Sequence, residues 1–247
     1  MPQTSTRPPA PPPTLRRRAE SRPDRRMAIL LAAERLFAQH GYHAVSIRQI
    51  AEAAGVPLAL VGYYFGQKHE LFHSLFEHWS HTIDERLEAL RATAGAPPGP
   101  EALTRIVEAF TGPVIRLRAS PDGEHYALLV ARELFHATPT TDRVLRAYFD
   151  PMAHAFIDAL QRQFPHASRG EVAWCYQFAL GALLHHLSDV RVERLSRGEC
   201  RVGDADGSRR LVAFIVGGMR AALPPSATRT RRRSTSASTP TARRPRS

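Results

Sequence analysis

The chain has 247 residues, 43% hydrophobic and 23% charged, enough to bury one large core or two modest ones. Its longest apolar runs, at 178–184 and 211–218, fall well short of the roughly 20 residues a bilayer-spanning helix needs, so no membrane association through a spanning helix is expected. The formal net charge of +11 belongs to the tails: residues 1–23 carry five Arg against one Glu, residues 224–247 carry seven Arg and no acid, and the body between holds 22 basic and 22 acidic residues.

Both tails are rich in Pro, Ser, Thr and Arg and cannot bury enough apolar surface to offset ordering entropy, so 1–23 and 224–247 are expected to be disordered. The N-terminal tail has no apolar segment followed by a small-residue cleavage site, so a cytoplasmic location is expected. Cys175 and Cys200 form no disulfide framework, and no redox role is assigned to either.

The first predicted helix runs from Arg25 to His40, with Ile29, Ala33, Leu36 and Phe37 on its apolar stripe and Gly41 ending it. Ser46 then stands as an N-cap before Ile47, Ile50, Ala51 and Ala54, whose i, i+3, i+4, i+7 spacing predicts a short helix to Ala54. Gly55 suits a left-handed residue at the helix end, and Val56 plugs the corner. Pro57 opens a third helix that turns Val61 and Phe65 inward. Two short helices joined by a Gly-containing turn form a helix-turn-helix, whose second member lies in the major groove of DNA.

After Gln67, the apolar positions Leu71, Leu75, Trp79 and Ile83 predict one long helix to about Arg91. The Gly-Ala-Pro-Pro-Gly-Pro run at 95–100 breaks it. A helix over 101–118 follows, with Pro113 as a potential kink, and then a turn at 120–123. Further helices are predicted at about 124–136, 140–163, 169–196 and 207–222. No segment alternates like a strand, so the fold class is all-α. In the last two helices Val172, Tyr176, Ala179, Leu183 and His186, with Leu211, Phe214, Ile215 and Gly218, are the expected dimer stripes, pairing across a twofold axis as a four-helix bundle.

Between Ile29 and Phe72 the motifs ILLAAERLFAQHGY, SIRQIAEAAGV, YYF and K..LF occur in an order that resembles the TetR family, the tetracycline-repressor-like transcriptional regulators. The resemblance implies a DNA-binding domain at 24–70 and a larger helical domain at 71–223 for ligand binding and dimerisation. It also implies a homodimer that binds a pseudo-palindromic double-stranded DNA operator as a ligand-responsive repressor.

Carried over onto this sequence, the resemblance puts Tyr42 and Ser46 against phosphate, Lys68 against phosphate at a helix N-terminus, and Tyr63 and Tyr64 near the sugar-phosphate backbone. Arg48, opposite in direction to Ile47 and Ile50, points outward and is the candidate for polar readout of a base edge. The third helix departs from the commoner family pattern in being almost wholly apolar. Leu58 and Leu60 would meet thymine methyls, and Gly62 would let the backbone approach closely.

A weaker resemblance, through LLVARELFHATP, the Asp150-Pro151-Met152 region and FALGALLHHLSD, links the second domain to the PsrA-like subgroup and implies a small hydrophobic ligand. Met152, Phe156, Trp174 and Phe178 are the expected apolar wall, with Arg132, His136 and His185 available for a polar group. His69 and His73 have the i, i+4 spacing of a zinc pair, but no third ligand follows in sequence and no metal is expected. No nucleophile elbow, Gly-rich phosphate loop or H-E-x-x-H occurs, so neither catalytic residues nor a cofactor are expected. The alternative is a non-specific nucleic-acid or membrane-surface binder driven by the basic tails.

Overall fold

The computed structural model describes residues 24–135 and 138–225. The tails read as disordered therefore lie outside the described residues, save positions 224 and 225, and so does His136. The chain folds into α1 (Arg25–His40), α2 (Ile47–Ala53), α3 (Leu58–Phe65), α4 (Lys68–His78), α5 (His81–Arg91), α6 (Pro100–Ala119), α7 (Glu124–Phe135) and α8 (Pro139–Val144). A π-helical turn at Leu145–Phe149 leads into α9 (Asp150–Gln163), followed by α10 (Arg169–Ser188), α11 (Val192–Leu195) and α12 (Ala205–Ala222). Among the described residues there is no strand, and no helix is long and apolar enough to cross a membrane.

Local chemistry explains most helix ends. Asp24 caps α1 through the backbone N–H groups of Arg26 and Met27. Ser46 and Gln49 form a reciprocal capping box at the start of α2, as Ser168 and Glu171 do for α10. Gly55 takes φ +65°, the left-handed conformation that closes α2, and the Val56 N–H then reaches back to the Ala51 carbonyl at 3.0 Å.

Two cores result. Ile29, Phe37, Val61, Phe65, Phe72 and Phe76 cement α1–α4 into a head, and Trp79, Tyr126 and Leu129 extend this cluster onto α7. The body core gathers Phe110, Met152, Phe156, Tyr176, Leu183, Ile215 and their neighbours from α5, α6, α9, α10 and α12.

Three elements differ from the sequence expectation. The long helix after Gln67 is two helices, interrupted at Trp79 and Ser80. There the Trp79 indole turns into the head core, and the Thr82 hydroxyl donates to the Trp79 carbonyl at 2.7 Å. The helix expected at 140–163 widens into a π turn directly before Pro151, with the Asp150 N–H bonded to the Leu145 carbonyl. Proline lacks an N–H and clashes with the carbonyl four residues back, and the wider turn relieves that clash. The helix expected at 169–196 stops at Ser188, where the Asp189 carboxylate takes the Arg191 backbone N–H at 2.8 Å and makes a turn before α11. By contrast, α6 continues through Pro113 as one helix.

Candidate DNA-contacting face and ligand cavity

α3 is sorted by its period. Val61 and Phe65 are fully inside, while Leu58, Gly62, Tyr63 and Tyr64 lie on the exposed side and Leu60 is half-buried between them. A Cβ at Gly62 would meet nothing within 4 Å, so the backbone there is open to a close neighbour. Tyr63 is the most exposed of these side chains at 80%, with its ring edge-on to Tyr64 at 5.2 Å. Arg48 and Ser46 are exposed at the start of α2.

Lys68 and Tyr42 are joined. The Lys68 ammonium sits 4.4 Å from the centre of the Tyr42 ring, while that ring packs against Phe37 and Phe72. Partial burial pushes the Lys68 pKa down from its ordinary value. The cation is thus held at the first turn of α4 by an aromatic platform rather than left to swing in solvent.

The second candidate site is a partly open cavity of about 430 Å³ lined by α5, α6, α7, the π turn, α9 and α10. Its wall is mainly apolar, with Val130, Leu134, Phe149, Met152 and Leu183, and it carries the polar residues Arg86, Tyr126, Asp150, Thr82 and Gln177. Arg86 is only 6% exposed, and its guanidinium carbon lies 4.8 Å from the Phe110 ring centre.

Of the residues expected to hold a ligand, Met152 lines this cavity. Phe156 is buried in the body core beneath it. Trp174 and Phe178 do not line it: they are 65% and 64% exposed on the outer face of α10, stacked on each other at 5.6 Å. α10 is apolar on nearly every side, and the stripe that packs inward is Val172, Tyr176, Ala179 and Leu183, the stripe expected at a dimer contact. Leu211 and Ile215 of α12 are likewise buried, leaving Phe214 and Gly218 outward.

His185 lies on a different recess, between α10, α11 and α12. Arg132 points to the head, donating to the carbonyls of Gln39 at 3.4 Å and His40 at 3.2 Å, where it satisfies orphan carbonyls at the end of α1. His73 packs on the Tyr148 ring at 5.3 Å, and among the described residues no three His, Cys, Asp or Glu side chains converge as a metal site requires.

Sequence reasoning missed Arg86 and Tyr126. The signal for Arg86 was present: it falls three residues after Ile83 and four before Leu90, inside the buried stripe of α5. An arginine in that register is uncommon unless paired, and here its guanidinium lies over the Phe110 ring.

Comparison with known proteins bears on both halves. Residues 29–75 match the profile of bacterial regulatory proteins of the tetR family, and residues 108–218 match the tetracyclin repressor-like C-terminal domain. The chain is 32% identical over 111 residues to the HTH-type transcriptional activator FasR of Mycolicibacterium smegmatis, covering 39% of this chain and 49% of that protein. It is 40% identical over 50 residues to the HTH-type transcriptional repressor AcnR of Corynebacterium efficiens, covering 20% of this chain and 27% of that protein. These alignments therefore span half or less of the curated relatives. The fatty acid degradation regulator FadR from Bacillus halodurans shares the fold, with a TM-score of 0.55 at 19% identity over 80% of this chain and 97% of that one. A tetR-type head and a tetracyclin repressor-like body thus follow one another in a single all-helical chain, which belongs to the TetR family of bacterial regulatory proteins.

Proposed function

We propose that this protein is a DNA-binding transcriptional regulator that sits on a pseudo-palindromic operator as a homodimer, represses by occluding a promoter, and is released by a small hydrophobic ligand. Its place of action is the cytoplasm, and it is not an enzyme. The observation that carries the reading is the sorting of α3, which buries Val61 and Phe65 and turns Leu58, Gly62 and Tyr63 outward, with Arg48 also exposed on α2. Tyr42, Ser46 and Lys68 fix register on phosphate, whereas Arg48 and the α3 surface read the bases.

Dimerisation is supported by the exposed apolar face of α10 and α12. Trp174, Phe178 and Phe214 stand outward with Gly218, and a second copy related by a twofold axis would cover them. The cavity beneath α5 is the effector site in this reading. A ligand there acts only to the extent that it prefers the arrangement unable to bind DNA, and DNA weakens the ligand by the same factor.

Footprinting with the chain lacking residues 1–23 and 224–247 tests the reading. A discrete footprint over an inverted repeat is expected. Binding that disappears with the tails and spreads over any duplex would instead indicate a non-specific phosphate binder.

A further inference from the structure

Arg86 is a buried cation without a counter-charge. Its Nε and Nη2 atoms are buried and have no hydrogen-bond partner, and no described residue forms an ion pair with it. A guanidinium stays charged in a protein, so it cannot escape the penalty of burial by losing its proton. The Phe110 and Phe156 rings, with centres 4.8 and 5.9 Å from the guanidinium carbon, give it cation–π contacts but no hydrogen-bond acceptor for Nε or Nη2. Tyr126 supplies a second polar group. Its hydroxyl is buried and makes no hydrogen bond of regular geometry; the neighbouring Thr82, whose own proton goes to the Trp79 carbonyl, can act on it only as an acceptor, so the Tyr126 O–H can turn from Thr82 to a ligand oxygen.

Both groups border the same cavity of about 430 Å³, whose remaining wall is dominated by aliphatic and aromatic carbon. We propose that the cavity binds an amphipathic carboxylate, its apolar tail among Leu134, Phe149 and Met152 and its head group paired with the Arg86 guanidinium and the Tyr126 hydroxyl. The proposal rests on the reading of this cavity as the effector site. A planar fork of N–H donors matches two carboxylate oxygens, and one further hydroxyl completes the set. A phosphate would bring more charge and more acceptor oxygens than these donors can satisfy, and the Asp150 carboxylate on the same wall, which opposes any anion, opposes a dianion about twice as strongly as a monoanion.

The test measures binding of decanoate, decanol and decylamine to the full-length protein by calorimetry, for the wild type, Arg86→Met and Arg86→Lys. The wild type should bind decanoate about tenfold or more tighter than decanol, with decylamine weakest. Arg86→Met should lose the preference for decanoate while still binding decanol, and Arg86→Lys should keep part of it. Equal wild-type affinities for decanoate and decanol, or no binding of either, overturn the proposal even if the variants fail to fold. Operator affinity is followed in the same samples. Decanoate selectivity without any change in DNA binding would sustain the proposal and sink the effector reading, whereas equal binding and equal DNA release by decanol and decanoate would do the reverse.

Discussion

The indole N–H of Trp79 donates to the Glu34 carboxylate at 2.7 Å, a buried bond that ties the end of α4 to the inner face of α1. The same indole lies stacked on the Tyr126 ring at 5.2 Å, with the planes 15° apart. Tyr126 borders the cavity, and Glu34 belongs to the head that presents α2 and α3. A shift of α5 or α7 around a ligand would therefore be felt at α1 through one hydrogen bond and one ring stack. Arg132 gives a second tie from α7 to the carbonyl end of α1.

Replacing Trp79 with Phe retains an aromatic ring and removes the N–H. The expected result is DNA affinity and decanoate affinity each within a few fold of wild type, with the factor by which decanoate weakens DNA binding reduced about fivefold. Fluorescence-anisotropy titrations of operator DNA with and without saturating decanoate give that factor directly. An unchanged factor would remove the Trp79–Glu34 bond from the route.

Glu34 makes stability depend on pH. Burial pushes its pKa up to about 7, against the opposing pull of the Trp79 N–H and the Tyr126 backbone. The folded state thus holds the proton more tightly than the unfolded chain. The contribution is fully present below pH 4.5, the ordinary carboxyl value, and is lost as pH rises through about 7. Full ionisation removes at most about 3 kcal/mol. Glu34→Gln, which keeps an acceptor for the indole without the charge, should be no more stable than wild type at pH 5 and more stable at pH 8. Urea denaturation at the two pH values checks this, and a parallel pH dependence in both proteins would refute it.

Arg48 and Lys68 should separate readout from grip. Arg48→Ala is expected to flatten the ranking of operator variants, losing about 1–3 kcal/mol of discrimination at one base position. Lys68→Ala, which removes a cation held over Tyr42, should weaken every duplex alike and lower the salt slope by about one. Binding across an operator library at several salt concentrations distinguishes the two. The same flattened ranking in both variants would assign Lys68 to base reading, and an unchanged ranking for Arg48→Ala would assign that arginine to phosphate.

The head was legible because its signals are local. Ser46 caps through Gln49 three residues away, Gly55 supplies its own left-handed turn, and Val61 and Phe65 lie one helical turn apart. The break at Trp79 was not legible, since the apolar spacing from Leu71 to Ile83 runs through it unbroken. There Trp79 is bonded to Glu34, 45 residues earlier in the chain, a contact that local spacing does not mark. α10 defeated periodicity for a different reason. With Val172, Trp174, Tyr176 and Phe178 distributed around it, no single face is marked, and packing against α9 and α12 selects the inner one. That selection moved Trp174 and Phe178 from the expected ligand wall to the outside. Arg86 of α5 borders the cavity, whereas His185 faces another recess and Arg132 is drawn to the carbonyls that end α1.

The outward face of α10 and α12 gives the last expectation. Trp174, Phe178 and Phe214 are 65%, 64% and 72% exposed, an unusual amount of aromatic surface for a chain to leave in water. Each such ring buries roughly 150–250 Å² when covered, so a twofold pairing would remove several rings per copy from solvent at once. None of the three belongs to either core cluster, so charging one should leave the fold of the single chain intact. Phe178→Glu is therefore expected to give a helical protein of wild-type circular dichroism that sediments as a monomer. Because a lone head engages one half-site, its operator affinity should fall by at least about a hundredfold and become insensitive to half-site spacing. A Phe178→Glu protein that remained dimeric in sedimentation would place the interface elsewhere. A monomer with undiminished operator affinity would show that one head suffices.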